Sequence, residues 1–446
     1  MEKNKMATMP VPQLLLNMGL PMMLSMLGQA LYNVVDTFYV SRIQGMANAG
    51  EMAINALTMA FPIQMLIIAL GVGTGVGINA LISRLLGMKE IRKAENAAGN
   101  ALCMSLLYFV GLFLFGIFGT QAFISSQTEN AIVAQFGIDY LRIIAIFSLG
   151  TLVYMCLEKI TVATGRTKIT MMTQLAGAIT NIVLDPILIY GWLGLPVMGV
   201  KGAAIATVIG QFVSLISLGL FYVNKHPILS IHGSDFHLQA DILRNLYRVG
   251  VPAIMMQLLV PIMSYAMNLI LGGISEASIT AYGIYYKLQN FVFMPAYGLN
   301  NASIPIISYN YGAGKQDRIR STIRWALIDS MVIMGIGVIL LEGWTEPIVS
   351  IFAVSQETMA LCVWALRIIV WGFFFAGANI ILQGVCQALG NGKYSLIISL
   401  IRFLLIPLPF AFLIHSQLHV WFAIPLGEMV GMIVAILLTK HLYKNM

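Results

Sequence analysis

The sequence predicts an all-α integral membrane protein: twelve transmembrane helices in two parallel six-helix repeats. Three observations predict it. The composition is too apolar for a soluble chain, basic residues fall on alternate loops, and short motifs recur at a constant offset. Of the 446 residues, 59% are hydrophobic and 10% charged, whereas an ordinary soluble domain carries about 25% charged residues. A soluble protein this apolar could not cover its surface with polar groups; lipid as the solvent removes the difficulty. Runs such as Met104–Phe118, Phe212–Val223 and Leu327–Leu341 carry at most one charge each. They merge with apolar flanks into spans of about 20 residues, enough to cross the hydrocarbon core.

In order, the first helix is expected over 12–40. It follows a polar, basic start, Met1–Met9, and lacks a small-residue cleavage pattern, so it reads as a retained span rather than a signal peptide. The others are expected over 52–82, 93–118, 130–162, 168–192 and 199–223. After a linker they continue over 243–272, 276–311, 320–342, 358–388, 394–415 and 418–440. The linker, 224–242, is the longest polar stretch and holds His226, Pro227, Gly233, Ser234, Asp235 and Asp241. The expected organisation is therefore a six-helix lobe over 1–223, a linker over 224–242 and a second lobe over 243–446.

Charge orients the chain. With the N-terminus placed in the cytoplasm, 18 of the 25 Lys and Arg fall on inside segments, among them Lys3, Arg84, Lys93, Arg166, Lys225, Arg248, Lys315, Arg318 and Lys393; outside segments carry only Arg42 and Lys201. Both termini and the linker are thus expected on the cytoplasmic side of the cell membrane. The net charge of +7 reflects topology. A nucleic-acid binder would cluster its bases on one soluble face.

The repeat fixes the architecture. Leu141-Arg142-Ile143-Ile144 recurs as Leu366-Arg367-Ile368-Ile369. Ala163-Thr164-Gly165 before Lys168 recurs as Ala388-Leu389-Gly390 before Lys393, and Ile82-Ser83 with Gly87 recurs as Ile307-Ser308 with Gly312. Each second copy lies 225 residues after the first. Gly19-Leu20-Pro21 also matches Gly250-Val251-Pro252, 231 residues on. An even number of helices per copy sends both copies into the membrane from the same side, as in transporters with parallel repeats.

Ionisable groups inside membrane helices are costly and mark functional sites by default. Asp36 ends the first helix and Asp185 lies in Asn181-Ile182-Val183-Leu184-Asp185-Pro186. Asn181, four residues before Asp185, shares its helix face. Rise along the helices places Asp36, Asp185, Thr207 and Tyr140 in the outer half of the first lobe. Two carboxylates, an amide and a hydroxyl offer hard oxygen ligands to a small cation, or a pair that shares a proton; equally, they could only tie helices together. Lys287 could face a cavity, snorkel or pair with an acid, and Glu158-Lys159 and Glu428 are weaker candidates, the pair open to interface snorkelling. Gly71, Gly73, Gly75 and Gly77 read as helix packing, since no strand precedes them. Gly312-Ala313-Gly314-Lys315 lacks the rest of a phosphate loop, which argues against ATP drive. The four cysteines, Cys103, Cys156, Cys362 and Cys386, all lie in apolar helical stretches and read as packing residues.

These features together resemble the multidrug and toxic compound extrusion (MATE) transporters. The carriers are the Gly-x-Pro opening of each half, Tyr32–Tyr39, Asn181–Pro186, Gly202-Ala203-Ala204-Ile205-Ala206-Thr207 and Pro305–Gly314. The resemblance implies two lobes around a central cavity and antiport of organic compounds against Na⁺ or H⁺. It places the cation-coupling site on Asp36, Asn181, Asp185 and Thr207, with Tyr140 beside it, and the bend of the first helix at Pro21. One subgroup carries acids on its seventh and tenth helices. This chain instead has Gln257 and Asn268, and Asn379 and Gln383, which points to the subgroup with a first-lobe site. Lys287 and Met294-Pro295 resemble its MepA-like members. Lys287, Gln257, Asn268 and Met256 are the expected substrate-cavity residues.

The expected protein is thus a secondary active antiporter exporting amphipathic, often cationic, organic compounds. It is no enzyme. It acts as a monomer without ATP, nucleic acid or cofactor, and with no metal beyond a Na⁺ ion at the coupling site. The alternative is a flippase for a lipid-linked or sugar intermediate, which would need a wide basic cavity built here on Lys287 and Arg402.

Overall fold

The computed structural model describes residues 4–43, 49–224, 229–352 and 354–444. Lys3, Lys225, His226 and Pro227 lie outside the described residues. Among those described, twelve rods follow one another: α1 (Val11–Ser41), α2 (Ala49–Gly87), α3 (Ile91–Phe118), α4 in two parts (Ala131–Ile146 and Leu149–Ala163), α5 (Thr167–Tyr190), α6 (Val200–Asn224), α7 (Ala240–Gly272), α8 (Glu276–Gly312), α9 (Gln316–Gly343), α10 in two parts (Gln356–Ile369 and Gly372–Ala388), α11 (Gly392–Leu400 and onward to Ile414) and α12 (Ala423–Lys444). No strand occurs among the described residues.

Three features were not visible in the hydropathy. First, α4 and α10 bend by 47° and 50°, each a few residues past the repeated Leu-Arg-Ile-Ile motif. Second, α11 contains a π turn, Ile401–Leu405, before Pro407; an extra residue in a turn is a common device for aiming a side chain, and here it carries Arg402. Third, α8, one of the less apolar of the long helices, is sheltered inside the protein. It can be polar because seventeen of its residues are buried, and it packs on α1, α2, α9 and α10.

The duplication is visible as repeated contacts. Ser83 donates a hydrogen bond to the Ala163 carbonyl at 3.1 Å, and Ser308, its copy, to the Ala388 carbonyl at 3.0 Å. Across the lobes the contacts are reciprocal. A methyl group on Gly87 would lie 2.0 Å from the Tyr309 carbonyl oxygen, and one on Gly312 would lie 2.1 Å from that of Arg84. Tyr309 is the copy of Arg84, so each lobe presents the same surface to the other, as a two-fold axis requires. Gly73 against the Ile254 backbone and Gly298 against the Met23 backbone repeat the relation with α7 and α1. In lipid, helix association rests on such close packing of small residues. The glycines of α2 divide accordingly: Gly71 and Gly75 face α4, while Gly73 and Gly77 face α7.

The lobes therefore meet at the end bearing the loops at 88–90, 313–315 and 389–391, termed the basic end. The segment leading each lobe crosses to the other. Before α1, the Met6 and Met9 carbonyls accept hydrogen bonds from Arg318 on α9, at 3.0 and 2.8 Å. Before α7, Asp235 pairs with Arg92 on α3 at 2.7 Å, and the Gln239 amide donates to Asn100 at 2.7 Å.

Candidate functional site

Inside the first lobe the structure gathers four of the expected residues. Asp36, near the end of α1, and Asp185, on α5, are within hydrogen-bonding reach of each other. Asn181, one turn before Asp185, donates from Nδ2 to Asp185 Oδ1 at 3.3 Å and to Thr207 Oγ1 on α6 at 3.4 Å. Pro186 follows Asp185 inside α5; lacking an N–H, it leaves the Ile182 carbonyl without its helical donor. Asp185 is fully buried and Asn181 nearly so. Three buried oxygens have no hydrogen-bond partner: Asp36 Oδ1, Asp185 Oδ2 and Asn181 Oδ1.

Tyr140 is buried close by, and its hydroxyl accepts from Gln64 Nε2 at 2.8 Å. Gln64 is a member the sequence did not single out; its signal was an amide alone in the apolar Phe61-Pro62-Ile63 stretch. Tyr32 stands beside both carboxylates. Asn33, three residues before Asp36, is exposed. Pro21 lies inside α1, which runs through it without a break.

Two carboxylates this close cannot both be ionised in a medium of low polarity unless a proton or a cation lies between them. The unpartnered oxygens are hard donors of the kind Na⁺ takes, and the pair also suits a shared proton.

The expected substrate-cavity residues are not gathered in this way. Lys287 is exposed, its ammonium 5.8 Å from the Phe352 ring centroid. Asn268 is exposed and Gln257 half-buried, and the Met256 sulfur accepts from Gln387 at 3.7 Å. None of the four lines either of two cavities near the first lobe and the lobe boundary. One cavity, of about 80 Å³, lies inside the first lobe and is lined by Asn181, Thr207, Glu158 and Lys159 among others. The other, of about 810 Å³, lies between the lobes at the basic end, against Arg84, Arg248 and Tyr311.

Glu158 and Lys159 are 6% and 5% exposed and form an ion pair of 3.1 Å; they do not snorkel. In the second lobe Arg402 and Glu428, scattered in the sequence, form a bidentate pair at 2.7 and 2.8 Å. Asn379 Nδ2 donates to Glu428 Oε2 at 2.8 Å, and Gln383 Oε1 accepts from Arg402 at 3.0 Å. Arg402 therefore offers no open basic surface. No cluster of three or more metal-ligating side chains occurs among the described residues.

Two related lobes of membrane-spanning helices, with unmatched acids buried in one of them, define a polytopic membrane transporter. A family model described as MatE matches residues 21–187 and 252–413, two stretches that begin at the paired prolines, Pro21 and Pro252. The chain belongs to the MatE family, and it is a transporter rather than an enzyme. "Multidrug export protein MepA" of Staphylococcus saprophyticus is 25% identical over 388 residues, covering 87% of this chain and 84% of that one. "FAD transporter" of Shewanella oneidensis is 24% identical over 410 residues, covering 92% and 89%. A solved structure described as the outward-facing conformation of a multidrug resistance MATE family transporter superposes with a TM-score of 0.92 at 24% identity, covering 100% of this chain and 99% of that one.

Proposed function

We propose that this chain is a secondary active antiporter that exports amphipathic, cationic organic compounds in exchange for H⁺ or Na⁺ by alternating access. One observation carries the reading: Asp36 and Asp185 lie within reach of each other with unpartnered buried oxygens and, among the described residues, no basic residue paired with them. A cation or proton held there favours one arrangement of the first lobe, and the exported compound favours the other. A ligand with equal affinity for both would shift nothing. Its relatives' names, a multidrug exporter and an FAD transporter, support small organic cargo. The flippase reading is weaker because its two basic residues are engaged apart, Arg402 by Glu428 and Lys287 over Phe352. The protein acts as a monomer without ATP, and its termini and linker face the cytoplasm.

The test is export of tetraphenylphosphonium from proteoliposomes under separately imposed sodium and proton gradients. Asp36→Asn and Asp185→Asn are each expected to insert and fold, since one fewer buried charge is not costly in lipid, and to lose gradient-driven export. The double variant should be no worse than the worse single one, because residues sharing one ion do not act additively. Well-folded single variants that keep full export end the hypothesis. For orientation, a cysteine replacing the exposed His232 should resist an impermeant thiol reagent in intact cells and react in inverted vesicles; labelling in intact cells refutes the topology.

A further inference from the structure

The first-lobe cavity runs from Asn181, which donates a hydrogen bond to Asp185, to a second acid that the coupling site does not use. Asn181 and Thr207 line one part of it and Glu158 and Lys159 another. Asn181 Oδ1 is buried and unpartnered in a side chain 3% exposed. Adjacent residues on a helix project about 100° apart and do not normally face each other. Glu158 and Lys159 nevertheless converge to 3.1 and 3.3 Å, both nearly fully buried among membrane-embedded helices. Lys159 reaches this position because residue 75 is glycine: a methyl group there would lie 2.6 Å from Lys159 Cγ. Burial alone does not account for the pair, since well-packed apolar residues often stabilise as well, and unlike Arg402–Glu428 this pair lines a cavity.

We propose that Glu158 is a second cation station of the first lobe, held in this conformation by the tethered ammonium of Lys159, and that the cavity is the route by which the coupling cation passes between Glu158 and the Asp36–Asp185 pair. This rests on the antiport reading above and adds a site to it. The titratable groups facing the cavity are Tyr32, Tyr154, Glu158 and Lys159, so among the described residues Glu158 is its one carboxylate and Lys159 its one base. With Lys159 seated, no mobile cation has an acid to stop at beyond Asn181. When Lys159 leaves, Glu158 accepts the cation released from the pair. The tether thereby keeps the route closed to cations while the carboxylate pair is loading.

The experiment uses the full-length protein in proteoliposomes carrying entrapped sodium- and proton-sensitive dyes, with tetraphenylphosphonium as cargo. Lys159→Met removes the tethered cation and keeps the side-chain length. Cargo-independent dissipation of the gradient should rise at least about five-fold. Adding Glu158→Gln to Lys159→Met, or adding Asp185→Asn, should return it to the wild-type rate. Glu158→Gln alone frees the Lys159 ammonium to compete at the carboxylate pair, raising the half-saturating concentration of the coupling cation about ten-fold; this variant carries the test if Lys159→Met does not fold. Folded variants with wild-type leak and wild-type half-saturation overturn the proposal. If the wild-type protein exports with no dependence on either gradient, the antiport reading itself fails, and the second station with it. If wild-type export is ion-driven and lost in Asp36→Asn while the 158 and 159 variants are normal, the second station alone fails.

Discussion

The two lobes are copies of one another, and their interiors have diverged in an orderly way. Nine residues past the lysines of the matched Gly-x-x-Lys motifs, the first lobe has Gly177 and the second Arg402. Each backbone carbonyl there abuts a glycine of its lobe's last helix: Gly210 in the first lobe, where an added methyl would lie 2.7 Å away, and Gly427 in the second, at 2.9 Å. Gly177 leaves the space that becomes the small cavity, while Arg402 fills its space with a guanidinium clamped to Glu428. A second exchange mirrors the first. Lys159 lies against Gly75 in the first lobe, while in the second the copies are reversed, with Asn300 against Gly384. Each lobe thus holds one buried acid neutralised by one buried base. What distinguishes the first lobe is its surplus of Asp36 and Asp185. The copy of Asp36 is Met267. The copy of Asp185, allowing for the extra residue of the π turn, is Phe410 or Ala411. All three belong to or pack against one apolar cluster. On the antiport reading, the pair of acids without a buried base is what sets the first lobe apart, the second lobe holding the single half-buried Asp329 on α9.

The comparison breaks first on the carboxylates, where neutralising Asp36 or Asp185 is to abolish ion-driven export outright. The second lobe should answer differently. Arg402→Met leaves Glu428 buried without its partner, and breaking such a pair typically costs about 3–5 kcal/mol. The expected result is a marked fall in melting temperature in detergent and in folded yield. Replacing both partners, Arg402→Met with Glu428→Met, should recover most of the loss, and the protein that folds should keep its cation dependence of export. An Arg402→Met, Glu428→Met protein that is stable but uncoupled would show that the second lobe carries coupling, and the contrast between the lobes would be wrong.

Much of this was legible before the structure. The twelve spans differ from the observed helices by five residues or fewer at either end, because bilayer-length apolar runs separated by charged loops leave little freedom. Asp36, Asn181, Asp185 and Thr207 could be placed together because carboxylates at lipid depth are rare enough to stand out, and helix rise alone gave their depth. The rest depended on side-chain direction and on contacts between distant segments. Glu158 and Lys159 remained weaker candidates because their position near the basic end of α4 also fits snorkelling; the space left by the missing Cβ of Gly75 is what admits Lys159. Arg402 and Glu428 gave no joint signal, since nothing in a sequence shows that a π turn will rotate residue 402 toward α12. Gln64 was hidden because one amide in an apolar run is common. Lys287 is exposed, its ammonium 5.8 Å from the Phe352 ring centroid, a placement that its position in the sequence did not indicate.

The smallest effect concerns the segment that ties the lobes together at the basic end. Lys5 donates from Nζ to Asn17 Oδ1 at 2.8 Å and lies beside Gly165 of the first lobe, while the neighbouring Met6, Ala7 and Met9 carbonyls are held by Arg318 and Lys315 of the second. Burial, and then the positive charge of Lys168, lower the Lys5 pKa from 10.5 to about 8. Because the docked segment disfavours the protonated amine, docking carries its full electrostatic cost below pH 8. That cost falls away as pH rises from about 8 to 10.5, where the docked form has lost its proton and the free form has not. Lys5 remains partly exposed, so solvent screens the effect and the docked-to-free ratio should rise only about two- to five-fold across that window. A nitroxide on a cysteine replacing the exposed Thr8 reads this directly: its mobile fraction should fall with rising pH in the wild-type background, fall less in Lys168→Gln, and stay flat in Lys5→Met. The second lobe's leading segment is the control, because it is fastened by Asp235 on Arg92 rather than by a buried lysine. A label at position 232 should show no change between pH 8 and 10.5, and an equal response at both positions would remove Lys5 as the cause.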